Sequence, residues 1–143
     1  MEKATISWSV MEDDQFIQQM INDADRTYSP GDTYIKKIRV WNNRSGDEDI
    51  LDAIDAKLVV FFKNYEDSFL LNLCKIKIGS EQAQKLNIDE DKGTFSLGTI
   101  SGRANHGIDA NKDNYKEFEI QFGPVPANMK SELKSIILDL EYN

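Results

Sequence analysis

The segment from Asp32 to Asn43 reads DTYIKKIRVWNN, and it constrains the fold more than any other stretch of the chain. It is rich in β-branched and aromatic residues, follows a Pro-Gly turn and runs into a polar loop, which together predict a β-strand. Side chains alternate across a strand, so the two faces of this one differ in character. The apolar face that we expect in the core consists of Tyr34, Ile38 and Val40, and the opposite face of Ile35, Lys37, Arg39 and Trp41.

The same succession of strand, polar turn and strand recurs along the rest of the chain. Strands are predicted at 4–10, 33–42, 56–62, 68–78, 86–88, 94–100, 115–122 and 133–142. Most of them alternate between apolar and polar residues, whereas 56–62 is apolar on both faces, as a covered central strand would be. The pattern predicts an all-β fold, a single antiparallel β-sandwich of seven to eight strands, immunoglobulin-like or jelly-roll in type.

One segment departs from the strand periodicity. Between Glu12 and Asp23 the apolar residues fall at helical spacing, and three acidic residues at 12–14 stand where a helix N-terminus favours them. We therefore expect one short N-terminal helix that covers part of the sandwich. Its apolar residues are Phe16, Ile17, Met20 and Ile21.

The chain length predicts one domain spanning residues 1–143. A chain of 143 residues buries roughly 68–70% of the surface that it exposes when unfolded, enough for one core. Two domains of half that size would need disulfides or metals for stability. The single cysteine, Cys74, excludes an intramolecular disulfide and any zinc site built from several cysteines.

The charge and hydropathy of the chain argue against nucleic-acid and membrane partners. The net charge of −8 and the pI of about 4.6 repel phosphate backbones, so we expect no nucleic-acid partner. The N-terminal residues contain no apolar run typical of a signal peptide. No segment approaches the roughly 18 apolar residues that span a membrane. These features predict cytoplasmic synthesis and no membrane partner.

The chemistry-bearing residues give little support to catalysis. His106 is the only histidine and lies in a loop rich in Gly and Asn, where a solvated side chain is the usual role. Cys74 stands within a predicted strand, where a thiol commonly behaves as a small apolar side chain. No phosphate-binding glycine loop or nucleophile motif is present in the sequence. We therefore predict a protein that is not an enzyme and that has no obligatory cofactor.

One acidic loop resembles the start of a calcium-binding loop. Asp109, Asn111 and Asp113 place oxygen-bearing side chains at alternate positions, as calcium ligands require. The loop departs from the EF-hand pattern, with Asn114 at the glycine position and Ile120 at the position of the bidentate glutamate. A polar loop that uses Asn and Asp for turn geometry explains the same residues, so calcium binding is one of two interpretations.

Two surfaces are candidates for binding. Trp41 shares a strand face with Lys37 and Arg39, and a partly exposed indole beside amides is typical of carbohydrate-binding sandwiches; a Trp that caps the core is the alternative. A second apolar face is formed by Val59 and Phe61 together with the next predicted strand. That face needs a cover, either the predicted helix or another chain, which includes self-association. The residues expected on the next strand are Phe69, Leu71 and Leu73.

The segment Tyr34-Ile-Lys-Lys-Ile-Arg-Val-Trp-Asn-Asn43 and the plain strands that follow resemble the compact, acidic, single-cysteine β-sandwich modules of bacteriophage tails, baseplates and capsids. The resemblance implies a structural or accessory role in a phage or prophage virion, exerted through protein–protein contacts. It transfers no functional residue. The alternative function, from another class, is a carbohydrate-binding module with a calcium-stabilised acidic loop.

Overall fold

Two antiparallel sheets enclose a shared apolar core in the computed structural model, which describes residues 1–12, 15–18, 26–28, 30–107, 111–127, 132–134 and 136–143. The strands are β1 (Ile6–Glu12), β2 (Gln15–Gln18), β3 (Arg26–Tyr28), β4 (Tyr34–Asn42), β5 (Ala53–Phe62), β6 (Cys74–Lys77), β7 (Gln84–Lys85), β8 (Asn87–Asp89), β9 (Lys92–Ile100), β10 (Tyr115–Phe122), β11 (Glu132–Lys134) and β12 (Ile136–Glu141). Two 3-10 helices span Tyr65–Leu73 and Lys112–Asn114.

The strand order defines a larger and a smaller sheet. The six-stranded sheet runs β2-β1-β4-β10-β6-β7, and the four-stranded sheet runs β12-β5-β9-β8. β3 and β11 form a separate two-stranded pair. Only Leu86 separates β7 from β8, so the two sheets come together along that edge. The predicted all-β architecture of antiparallel sheets is confirmed.

The core lies between the sheets, where the predicted apolar faces of the strands meet. Ile38 on β4 stands opposite Phe118 on β10, and both are buried. The four-stranded sheet contributes alternate residues of β5 and β12 to the same cluster, in agreement with their patterns. These residues are Leu58, Val60, Phe62, Ile136, Leu138 and Leu140.

The predicted N-terminal helix is wrong for the residues that the structure describes. Gln15–Gln18 form strand β2, in which Ile17 pairs with Val10 and Phe16 with Met11 of β1. A helix of a dozen residues is marginal without tertiary packing, whereas a hairpin with β1 satisfies the backbone hydrogen bonds of β-branched and aromatic residues. Residues 13–14 and 19–23 of the predicted helix lie outside the described residues.

The predicted strand at 68–78 is also wrong over its first half. Tyr65–Leu73 is a 3-10 helix that connects the smaller sheet to the larger one, and only Cys74–Lys77 is a strand. Adjacent leucines at 70 and 71 are both buried, which the alternation of a strand does not permit when one face is solvated.

No helix among the described residues has the length and apolar character needed to cross a membrane.

The buried thiol of Cys74 should lower the stability of the fold at alkaline pH. Burial raises the pKa of Cys74 from 9.0 to about 12. Between those values the unfolded chain releases the thiol proton while the folded chain keeps it, so the free energy of unfolding falls by up to about 1.4 kcal/mol per pH unit. We expect the loss to be absent in Cys74→Ala. Urea unfolding of both proteins as the pH rises above 9.0 measures the difference, and parallel pH dependences would contradict it.

Candidate functional site

The outer face of the six-stranded sheet carries an ordered array of charged side chains. Residues that pair across strands point to the same side of a sheet, so the register defines which side chains share this face. Arg39 on β4 stands opposite Glu117 on β10, for example. The surface that we call the basic face consists of Lys37, Arg39, Lys75, Lys77 and Lys85, with Glu117 and Glu119 between them.

The charge of the basic face is opposite in sign to that of the whole chain. The face holds five of the 17 lysines and arginines but only two of the 25 acidic residues, whereas the net charge of the chain is −8. An even distribution would place more acids than bases on any surface of this protein. The basic face therefore attracts negatively charged groups over roughly a Debye length, ~10 Å at 0.1 M salt.

The excess positive charge is concentrated at the β6–β7 side of this face. Lys75 stands opposite Lys85 and Gln121, so no acid opposes it in the register of the described strands. Both lysines are exposed. Like charges directly opposite each other destabilise a sheet. A lysine on the short edge strand β7 discourages unwanted sheet extension, but that role does not require Lys75 as well.

Arg39 is fixed in one orientation by its neighbours. Its Nε donates a hydrogen bond to Glu117 Oε1 at 2.9 Å, and its guanidinium carbon lies 4.3 Å from the centroid of the Tyr115 ring. An ion pair and a stacked ring together restrict the side chain before any partner arrives. Arg39 therefore contributes a preorganised hydrogen-bonding plane, while Lys75 and Lys85 contribute the uncompensated charge.

Trp41 is buried, so the interpretation of a partly exposed indole is wrong and the structure favours the other interpretation, a Trp withdrawn from solvent. The residue is only 2% exposed, and its Nε1 donates a hydrogen bond to Ser9 Oγ at 3.0 Å. The centroid of the Tyr115 ring lies 4.6 Å from that of Trp41, and the Arg44 guanidinium carbon lies 5.3 Å from the Trp41 ring. Ser9 lies on β1, Tyr115 on β10 and Arg44 in the loop after β4. The pattern of residues around Trp41 in the sequence does not reveal these contacts.

Val59 and Phe61 lie on the outer face of the four-stranded sheet. Val59 is only 3% exposed and stands between Asp139 and Thr94 in the register of β12, β5 and β9. Phe61 is half-buried, with Lys92 Nζ 5.9 Å from the centroid of its ring. Val59 and Phe61 are therefore largely withdrawn from solvent, and Lys92 is a neighbour of the Phe61 ring.

Phe69 and Leu71 do not extend that surface as predicted. They belong to the 3-10 helix Tyr65–Leu73, and the strand pairing expected between their segment and β5 is wrong, because β5 pairs with β9 and β12. Phe69 is 64% exposed whereas Leu71 is completely buried in the core. The structure thus separates the residues that the sequence placed on one apolar face.

Two of the three predicted calcium ligands contact an arginine. Asn111 Oδ1 accepts a hydrogen bond from Arg103, and Asp113 Oδ2 lies 3.5 Å from an Nη atom of the same guanidinium. Asp109 lies outside the described residues. Across the part of the chain that the structure describes, no three His, Cys, Asp or Glu side chains converge in a group that could hold a metal ion. Calcium binding stays a prediction, which the melting temperature in millimolar calcium would test.

The structure reveals a buried cluster of asparagines where the loops at 43–52 and 101–107 meet. Asn43 Nδ2 donates to the carbonyl oxygens of Glu48, Gly102 and Arg103 at 2.8, 2.8 and 3.0 Å. Asn43 is 6% exposed and has a positive φ of 53°, a conformation that Asn adopts more readily than most residues. One amide group thereby joins the two loops.

Asn42 and Asn114 lie beside Asn43, and we call these three residues the amide cluster. Asn114 Nδ2 donates to the carbonyl oxygens of Asn42 and Ser101 at 3.1 and 3.0 Å, and also to that of Arg103 at 3.0 Å. Asn42 donates to the carbonyl oxygens of β9 and of the 43–52 loop and accepts from the Thr5 backbone N–H at 2.9 Å. The cluster therefore fixes both loops and the N-terminal segment.

The amide cluster holds an acidic loop at this end of the sandwich. The acidic loop consists of Asp47, Glu48 and Asp49, all exposed. Together with Glu2 these residues line an open cleft of about 780 Å³. The Asp49 carboxylate also accepts the Ala104 backbone N–H at 2.7 Å, so the loop backbone is anchored from two sides. The backbone that carries its negative charges is consequently held in place.

The amide cluster and the full basic face were not predicted as sites. The alternation of Cys74-Lys-Ile-Lys77 does place both lysines outward, but only the strand order brings them beside Lys37. For the amide cluster, the available signal is the Asn42-Asn43 pair that ends an apolar strand and precedes a polar loop. Buried amides at strand ends require backbone partners, yet the sequence does not name those partners.

No family of known proteins, no curated protein sequence and no solved structure matches this chain.

Proposed function

We propose that this protein is a non-enzymatic assembly module that binds a negatively charged protein surface through its basic face. The observation that carries the proposal is the reversal of charge, five basic against two acidic residues on one sheet face of a chain with a net charge of −8. Complementary charge accelerates encounter and fixes orientation between proteins. Arg39, held against Glu117 and Tyr115, supplies a preorganised contact within the face.

The buried state of Cys74 supports a role without covalent catalysis. Its thiol is completely buried, and burial raises its pKa to about 12, so the nucleophilic thiolate is disfavoured at neutral pH. His106, the only histidine, is exposed on its loop at a positive φ of 43°. A nucleophile and a base must lie within hydrogen-bonding reach to act together, and these two residues differ in both burial and location.

The setting that we propose is a phage or prophage virion, in which small β-sandwich modules connect larger components. This part of the proposal rests on the resemblance of the segment Tyr34–Asn43 and of the sandwich-like architecture to tail, baseplate and capsid modules. The type of sandwich, immunoglobulin-like or jelly-roll, belongs to the same proposal. Protein partners, rather than nucleic acid or membrane, fit the acidic chain.

Reversal of the charge at the β6–β7 side should strongly weaken partner binding. In Lys75→Glu/Lys77→Glu/Lys85→Glu three attractive charges become repulsive, and we expect the affinity for the acidic partner to fall at least about tenfold. The measurement is native mass spectrometry of the chain co-expressed with the products of its neighbouring genes, followed by titration of the complex found.

The matched control changes the net charge equally at exposed lysines away from the basic face. Lys63, Lys92 and Lys112 are exposed and lie outside it, so their replacement by Glu should leave the affinity within about twofold of the original. Equal losses in both triple variants would show that only net charge matters. Complexes that survive reversal of the basic face would contradict the proposal.

Carbohydrate binding is the second candidate function, and its site would lie at a different place from the one expected from the sequence. Burial of Trp41 removes the indole on which that interpretation depended. An open cleft of about 600 Å³ lies instead at the end of the smaller sheet, where Tyr142 is 41% exposed. A ring bordered by hydrogen-bonding groups has the general character of a sugar site. The polar side chains that line the cleft are Asp55, Lys57, Ser96, Glu141 and Asn143.

Titration calorimetry with a panel of oligosaccharides tests this second candidate. If the cleft binds sugar, we expect Tyr142→Ala to reduce the affinity at least about tenfold, because stacking on the exposed ring is lost. Tyr65→Ala removes the same kind of ring, 69% exposed, from the 3-10 helix Tyr65–Leu73, whose residues do not line the cleft, and should have no effect. Absence of heat with every sugar, or equal losses in both variants, would eliminate this candidate.

A further inference from the structure

We propose that the acidic partner of the basic face is a second copy of this chain, docked through its acidic loop. This inference rests on the proposed function and adds the identity of the partner. The two surfaces have opposite charge: the basic face centres on exposed lysines at 75 and 85, and the acidic loop presents three exposed carboxylates at 47–49. Each copy therefore carries both halves of a complementary contact.

The acidic loop suits this contact because its carboxylates are concentrated and its backbone is held in place. Among the described residues that line the cleft around Asp47 and Glu48, four are acidic and none is a lysine or an arginine. The Asn43 amide holds the backbone of the loop at Glu48, and the Asp49 carboxylate holds it at Ala104. A loop already ordered in the free protein loses little conformational entropy when it binds. Apolar side chains of Met1 and Ile50 border the carboxylates and add surface for contact.

The basic face suits the same contact because its charge is exposed at the side away from the acidic loop. The acidic loop follows β4 at the end near Asn42, whereas Lys75 stands opposite Gln121, next to the Cys74–Phe122 pair where β6 begins and β10 ends. A copy therefore does not neutralise its own lysines with its own loop. The negative charge of the loop is available to another molecule.

A contact between two different surfaces is heterologous and leaves one of each kind unoccupied in a dimer. Such contacts continue by head-to-tail addition, and they form a closed ring or an open filament depending on the rotation between neighbours. We therefore expect species larger than a dimer as the concentration rises. The association should weaken as salt increases, because the contacts lie on solvated surfaces.

Sedimentation velocity of the purified chain and of its charge-reversed variants tests the inference. The native chain should form dimers and larger species at about 100 µM in about 50 mM salt, and should dissociate in about 500 mM salt. We expect Lys75→Glu/Lys77→Glu/Lys85→Glu, and separately Asp47→Lys/Glu48→Lys, to be monomers under the first condition. Asp49 is left unchanged because its carboxylate bonds the Ala104 backbone. Asp47→Asn/Glu48→Gln, which only removes charge, guards against misfolding of the reversed loop and should weaken association at least about tenfold.

The decisive measurement asks whether the two charge-reversed variants associate with each other when they are mixed. An equimolar mixture of the two reversed variants offers a native loop to a native basic face, and should recover association that neither variant shows alone. A native chain that stays monomeric at low salt would overturn the inference, as would association that is indifferent to the loop variants. Either result leaves the proposed function intact if a different acidic partner still requires the three lysines, so the two failures are distinguishable.

Discussion

Asn43→Asp should be among the most destabilising single substitutions in this protein. The side chain keeps its shape, but the Nδ2 donor that bonds the carbonyls of Glu48, Gly102 and Arg103 becomes an oxygen facing three oxygens. A buried acceptor without a donor, repeated at three carbonyls, costs about 3 kcal/mol or more. We expect the melting temperature to fall by about 10 °C for a chain of this size.

The matched control for Asn43→Asp makes the same chemical change at a solvated position. Asn72 Nδ2 donates to the Phe69 carbonyl at 3.1 Å on an exposed part of the 3-10 helix Tyr65–Leu73. Asn72→Asp should therefore change the free energy of unfolding by no more than about 0.5 kcal/mol. Urea denaturation of both variants gives the comparison. Similar small effects at the two sites would mean that the amide cluster contributes little to stability.

Gly102→Ala should disrupt the contact between the 43–52 and 101–107 loops by a steric clash rather than by loss of a hydrogen bond. A Cβ atom at this position would lie 2.3 Å from the Ile50 carbonyl oxygen and 2.5 Å from that of Leu51, both backbone atoms that cannot rotate away. The loops must separate, which also strains the bond from the Gly102 N–H to the Asp52 carboxylate. We expect a loss of about 3 kcal/mol or more in the free energy of unfolding.

Gly79→Ala serves as the control for the glycine substitution. Gly79 has a positive φ of 56° but no atom within 4 Å of an added Cβ, so Ala there costs only the backbone strain of about 1–2 kcal/mol. If Gly102→Ala costs no more than Gly79→Ala, the close approach of the two loops is not important. The double variant of Asn43→Asp and Gly102→Ala should lose less than the sum of its parts, since both changes break one junction.

The fold was predictable from the sequence where burial follows the period of a strand. Ile38, Val40 and Phe118 were expected inside from alternation alone, and all are buried. The expectation failed at Gln15–Gln18, where pairing with β1 overrides a helical spacing of apolar residues. It failed again at Tyr65–Leu73, because a segment that crosses between sheets buries consecutive leucines.

The candidate site was predictable only in part, because its character depends on the order of the strands. The sequence placed Lys37 and Arg39 on an outward face, but the neighbours that decide the charge of that face arrive from β6 and β7. Trp41 shows the same limit, since Tyr115 is more than 70 positions away in the chain and covers its ring from β10. Local patterns identify faces of strands, whereas only the register between strands identifies surfaces.

If the protein assembles as proposed, the amide cluster also determines how that assembly can be dissociated. Its bonds join neutral amides to neutral carbonyls in a buried position, so dissolved ions have little effect on them. The attraction between the basic face and an acidic partner is, in contrast, directly screened by salt. Moderate ionic strength should therefore release intact, folded subunits that reassemble on dilution of the salt. Under the proposed function, the protein would thus be recovered from its assembly in native form without denaturant.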